Sequence, residues 1–154
     1  MIPKFKEYHA IKQVTDKLKA TSLGIPREDM PQIFSGNVED FKKFLDSQHI
    51  IHHQGMSSAH TLKTAQGEFN VEKVKNLMGL KDQLKKLIMI TKDDYVLDGN
   101  HRVAAALVIK QPINYLKIEM NFKDLLAKIQ EYDKVDYKSV KENANDKKVL
   151  QNTN

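Results

Sequence analysis

Tyr95-Val96-Leu97-Asp98-Gly99-Asn100-His101-Arg102-Val103-Ala104-Ala105-Ala106-Leu107 is the stretch that decides how this chain folds. After the polar pair Asp93-Asp94, the apolar run 95–97 suits the buried end of a strand. Gly99 lets the backbone bend where a side chain would obstruct it. From Val103 onward the residues are small or apolar, including Ala104, Ala105 and Ala106, so a helix can pack closely against a sheet. The expected unit is strand, tight polar turn, helix.

The corner of that unit carries the chemistry. A helix start leaves backbone N–H groups without internal partners and is partly positive, so it attracts anions. His101 and Arg102 fall on the first turn and add donors of the same sign; guanidinium can grip a phosphate through two N–H groups. Asp98, across the turn, can bind a hydroxyl, hold a cation or accept a proton. The same residues also fit a plain capped helix, with Asp98 or Asn100 as N-cap and a His-Arg pair on the surface.

Moving outward, the uninterrupted apolar run 87–90 has strand length, and 91–94 makes a turn, so a hairpin delivers the corner. Lys81 to Lys86 reads as a loop or helical turn anchored by Leu84. Further upstream, Asn70 suits an N-cap for a helix whose stripe is Val71, Val74, Leu77 and Met78. That helix bears Lys73, and the loop before it holds Gln66 and Glu68. On spacing alone Lys73 is an ordinary solvated lysine.

Near the start, Ile11, Val14 and Leu18 recur at helical spacing, and Gly24 and Pro26 end that helix. The segment 27–33, with Met30-Pro31-Gln32, reads as extended or turn. Asn37 is expected to cap a helix through Ser47 with Val38, Phe41, Phe44 and Leu45 inward. His49, His52 and His53 crowd one short stretch, but their spacing matches no zinc pattern and no cysteine joins them. A strand beside the site is expected there, and no metal centre. After Pro112, 113–120 reads as a strand, and Asn121 as the cap of a helix with Phe122, Leu125, Leu126 and Ile129 on one side. From residue 134 the chain is mostly polar and is expected to be a flexible tail.

Composition narrows the class. The length of 154 residues suits one domain with a real core. No apolar run approaches the roughly 20 residues of a membrane span, and the first residues lack a signal-peptide core. Without cysteine there is neither a disulfide framework nor thiolate chemistry, and a cytoplasmic location is the default expectation. The net charge of +5 permits nucleotide or nucleic-acid contact without requiring it.

The turn Asp98-Gly99-Asn100-His101-Arg102 resembles the signature of the ParB/sulfiredoxin superfamily. The likeness is to its "strand, Asp-Gly-x-His-Arg, alanine-rich helix" form, found in free-serine kinases and in ParB-like proteins of phages and bacteria. Sulfiredoxins carry a related Gly-Cys-His-Arg turn, and partitioning ParB proteins a Gly-Glu-Arg-Arg type. The block 59–77 resembles the superfamily's second motif, a strand end, short loop and Lys-bearing helix. The resemblance spans roughly 62–129. It implies an α+β fold, a small mixed sheet flanked by helices, with 1–55 as an N-terminal helical extension, 56–133 as the core and 134–154 as the tail. It also implies ATP or ADP with Mg²⁺, the phosphates held by Lys73, Gly99, Asn100, His101 and Arg102. Asn100 stands at the sulfiredoxin cysteine position, so sulfinic-acid reduction is excluded. Gln66 stands where free-serine kinases place a catalytic Glu and cannot take a proton; Glu68 and Asp98 are the carboxylates left as base, and His101 completes the expected catalytic set.

The expected function is thus a small phosphotransferase acting on a hydroxyl of a small molecule or of a modified nucleobase in DNA, or a nucleotide hydrolase. The rival is a ParB-like DNA-binding protein or nuclease with nucleotide as a switch. No helix-turn-helix region follows the signature, and no metal-binding carboxylate cluster supports a nuclease. A homodimer is left open, and no membrane partner is expected.

Overall fold

A computed structural model describes residues 4–33 and 35–137. The expected hairpin is present: β4 (Ile88–Thr91) pairs antiparallel with β5 (Tyr95–Asp98), with a register shift between Met89 and Ile90. Thr91 and Asp94 build its turn. The Asp94 N–H donates to the Thr91 carbonyl at 3.0 Å, and Thr91 Oγ1 accepts from the Tyr95 N–H at 3.1 Å. β6 (Ile113–Ile118) runs parallel to β4, β2 (His52–Ser57) antiparallel to β6, and β3 (Lys63–Thr64) parallel to β5. The result is a mixed five-stranded sheet of order β2-β6-β4-β5-β3.

All four residues of β4 are buried, which requires cover on both faces of the sheet. Alternation along the strands assigns that cover. Met89, Leu97, Leu116 and Ile118 meet Phe41 and Leu45 of α2 (Val38–Ser47) and Phe122, Leu125 and Ile129 of α6 (Phe122–Ile129). Ile88, Ile90, Val96 and Ile113 meet Val103 and Ala106 of α5 (Asn100–Ile109). The opposite side of α5 is also covered. Ala104 and Ala105 pack with Ile11 and Leu18 of α1 (Lys4–Lys19), with Val74 and Leu77 of α3 (Val71–Met78), and with Leu84 of the short α4 (Lys81–Leu84). Alanines on both sides make α5 thin enough to be an inner layer, since interiors close-pack and any bulk must be accommodated.

Several expectations change. Residues 1–55, expected as a helical extension, contribute to the same core: α1 and α2 each supply core side chains, and β2, which spans the boundary at 55, pairs with β6 over its whole length. An amphipathic helix shows in sequence that it needs cover, but not what covers it. The histidine strand begins only at His52, because His49 adopts φ +58° just after the end of α2. β2 is the sheet's far edge, with β6 and β4 between it and β5, so it does not flank the signature turn. Asn37 and Asn121 precede their helices without making a side-chain cap bond. For α6 the acceptor comes from the hairpin turn, where Asp93 Oδ1 receives the Phe122 N–H at 2.9 Å. In the expected tail, β7 (Asp136–Tyr137) pairs with β1 (Pro31–Gln32), while 138–154 lie outside the described residues. Among the described residues, no helix is long and apolar enough to cross a membrane.

Candidate functional site

Where β5 runs into α5, Gly99 occupies the N-cap position with φ +107° and ψ +23°, a backbone that side-chain-bearing residues rarely adopt. The first helical bond of α5 runs from the Val103 N–H to the Gly99 carbonyl at 2.9 Å. The amides of Asn100, His101 and Arg102 therefore come before any helical partner. These residues line a cavity of about 500 Å³ together with Lys73, Gln66 and Asp98. Segments distant in sequence complete its wall: Arg27, Met30 and Gln32, then Leu87 and Met89, and Asp136 of β7. A void of this size suits a small ligand or cofactor.

Asp98 does not cap the helix by its side chain; its Oδ2 accepts from the Ile33 N–H at 3.0 Å. Burial pushes its carboxyl above the usual carboxylate range, against the opposing pull of Arg102, the Ile33 amide and Lys73. Arg102 folds back over Gly99 and donates from Nη1 to the Leu87 carbonyl at 3.2 Å. Its burial lowers the guanidinium's proton affinity and the Asp98 carboxylate raises it again. At any ordinary pH it remains a cation. The surface His-Arg pair of the capped-helix reading is absent: His101 is buried, and Arg102 faces the cavity.

The other two side chains of the turn face the second motif. Asn100 Oδ1 accepts from the Thr64 hydroxyl of β3 at 2.7 Å, both residues being buried. His101 Nε2 accepts from the Asn70 N–H at 2.9 Å, so its ring proton is assigned to Nδ1, and Phe69 stands edge-on to the imidazole at 5.4 Å. Asn70 caps α3 as expected, its Oδ1 accepting from the Lys73 N–H at 3.1 Å.

Of the expected site residues, Lys73, Asp98, Gly99, Asn100, His101 and Arg102 converge on the cavity, and Glu68 does not. Glu68 is exposed, and its backbone carbonyl accepts from Gln66 Nε2 at 2.7 Å. Gln66 itself is buried and lines the wall. The sequence reading missed Arg27, which is 7% exposed and lines the same cavity. Only the approach of β1 and its flanks to β5 brings it there, and no local pattern signals that approach. Among the described residues, no three His, Asp or Glu side chains are grouped as a metal set.

Comparison of the chain with protein-family models, curated proteins and solved structures yields no match.

Proposed function

We propose that this cavity holds the phosphates of a nucleotide, and that the protein is a ParB/sulfiredoxin-type phosphotransferase. It would use ATP or ADP with Mg²⁺ and act on a hydroxyl of a small molecule or modified nucleobase, or on water as a nucleotide hydrolase. One observation carries this reading. Lys73, Arg102 and the first turn of α5, from two motifs far apart in sequence, border the same cavity as a buried carboxylate. Phosphoryl transfer needs mostly positioning and stabilisation of charge, and clustered cations with backbone amides provide both.

The residues divide the work by chemistry. Arg102 and the amides of residues 100–102 face phosphate oxygens as donors, and Lys73 adds a point charge from α3. Asp98, with its raised proton affinity, orients the acceptor hydroxyl and receives its proton. Glu68, outside the cavity lining, has no part in this scheme. When bound, the nucleotide supplies the phosphoryl group and Mg²⁺ its charge neutralisation; with Asp98 as proton acceptor, the exposed Asp136 is the carboxylate bordering the cavity that would hold the metal.

A thermal-shift panel of ATP, ADP, CTP and GTP with Mg²⁺ tests the reading. At a hundredfold excess over Kd, a bound nucleotide raises Tm by about 5–10 °C in a domain of this size. Lys73→Met should abolish the shift and leave the unliganded Tm within about 2 °C of wild type. Absence of a shift with every nucleotide, alongside salt-sensitive retention on duplex DNA, would replace the reading with the DNA-binding one.

A further inference from the structure

Resting on the nucleotide reading above, we infer that His101 is a positioning residue: its imidazole holds the start of α3, and through it Lys73, against the anion corner. Three links are in place. His101 Nε2 accepts from the Asn70 N–H at 2.9 Å, and Asn70 Oδ1 accepts from the Lys73 N–H at 3.1 Å. The cavity is lined by His101 and Lys73 together. One hydrogen-bonded chain thus runs from the first turn of α5 to the first turn of α3, joining the two elements that supply cations.

The ring is poorly placed to act as a phosphate donor through Nε2. That nitrogen carries a lone pair directed at a backbone N–H, so it has no proton to offer an anion. Phe69 standing edge-on at 5.4 Å fixes the ring plane, and the residue is only 6% exposed. Asn100 makes a parallel attachment, from the same turn to Thr64 of β3. Both buried side chains of the turn thereby register the second motif against the first.

The test compares His101→Leu with His101→Gln, whose Oε1 can replace Nε2 as acceptor. In the absence of nucleotide, amide exchange at Asn70 and Lys73 should accelerate at least about tenfold in His101→Leu, in line with loss of a buried hydrogen bond. The Gln variant should stay near wild type. For ATP with Mg²⁺, measured by titration calorimetry, His101→Leu should weaken binding about tenfold and Gln should restore it. Adding Lys73→Met to His101→Leu should then cost much less than Lys73→Met costs in wild type, since coupled residues are non-additive. Additive losses, unchanged exchange in His101→Leu, or a folded Gln variant that binds as weakly as the Leu variant would each overturn the assignment. If His101→Leu does not fold, the Gln variant alone decides. If wild type binds no nucleotide, the functional reading fails, and the two amide exchange rates still decide whether His101 holds α3.

Discussion

Replacing Gly99 by Ala attacks the corner between β5 and α5 through its backbone. The residue sits at φ +107°, and an added Cβ would lie 3.1 Å from Arg102 Nη2 and 3.4 Å from Ile88 Cγ1. Holding an L-residue in such a conformation costs about 2 kcal/mol. Stiffening of the unfolded chain returns about 0.7 kcal/mol. The guanidinium must also give by a few tenths of an ångström, weakening its 3.2 Å bond to the Leu87 carbonyl at a cost of up to about 1 kcal/mol. The net loss is about 2 kcal/mol, which in a domain of this size lowers Tm by about 4–8 °C. Gly24→Ala is the control. Its φ is +72° with nothing within 4 Å of the added methyl, so the loss there should stay below about 1 kcal/mol. Calorimetry and urea unfolding of both variants measure the difference. Equal, small losses at the two glycines would refute the account of Arg102 lying over Gly99.

Three further outcomes follow from the packing and the charges. Ile11→Ala should cost about 3 kcal/mol by urea unfolding, because the residue is fully buried against α3 and α5; a value near 0.5 kcal/mol would make α1 a surface appendage. Asp93→Ala should lower stability by about 1 kcal/mol through loss of the acceptor for the Phe122 N–H, with Asp93→Asn recovering part of it; no change would mean that α6 is not held by the hairpin turn. Asp98 binds its proton more tightly in the folded state, so the native chain retains that proton over a window where the unfolded chain has lost it. Its contribution therefore falls as pH rises from about 3.9, the unfolded value, and levels off above the raised folded value. The unfolding free energy of wild type minus that of Asp98→Asn, measured from pH 3 to 8, should decline over that window, and a flat difference would contradict the burial of Asp98.

Much of the chain is legible in its residues, and the reasons are local. The hairpin, the glycine corner, the alanine helix and the Asn70 cap are each specified by neighbouring residues, and all are present. The turn 98–102, legible from its local chemistry, and Lys73, legible only through the resemblance, border one cavity. The failures have a common cause. Asn121 has the right residue type for a cap, yet Asp93, far upstream in the hairpin turn, provides the acceptor. Glu68 is the nearest carboxylate in the loop along the chain, yet the loop leaves it exposed and sets Gln66 in the cavity wall. His49 lies outside the strand because the exit from α2 takes a left-handed residue there, a demand that residue type does not reveal.

From its residues alone, the chain set the kinds and approximate limits of its elements, because propensity, capping and periodicity act over a few positions. Tertiary structure alone decided that α1 covers α5, that β2 lies across the sheet from the signature turn, and that Arg27 joins the cavity. It also turned Asn100 and His101 toward the second motif. These outcomes depend on which apolar faces find each other and on which buried polar atoms must then be satisfied. Both are properties of the assembled core, which no short window of sequence contains.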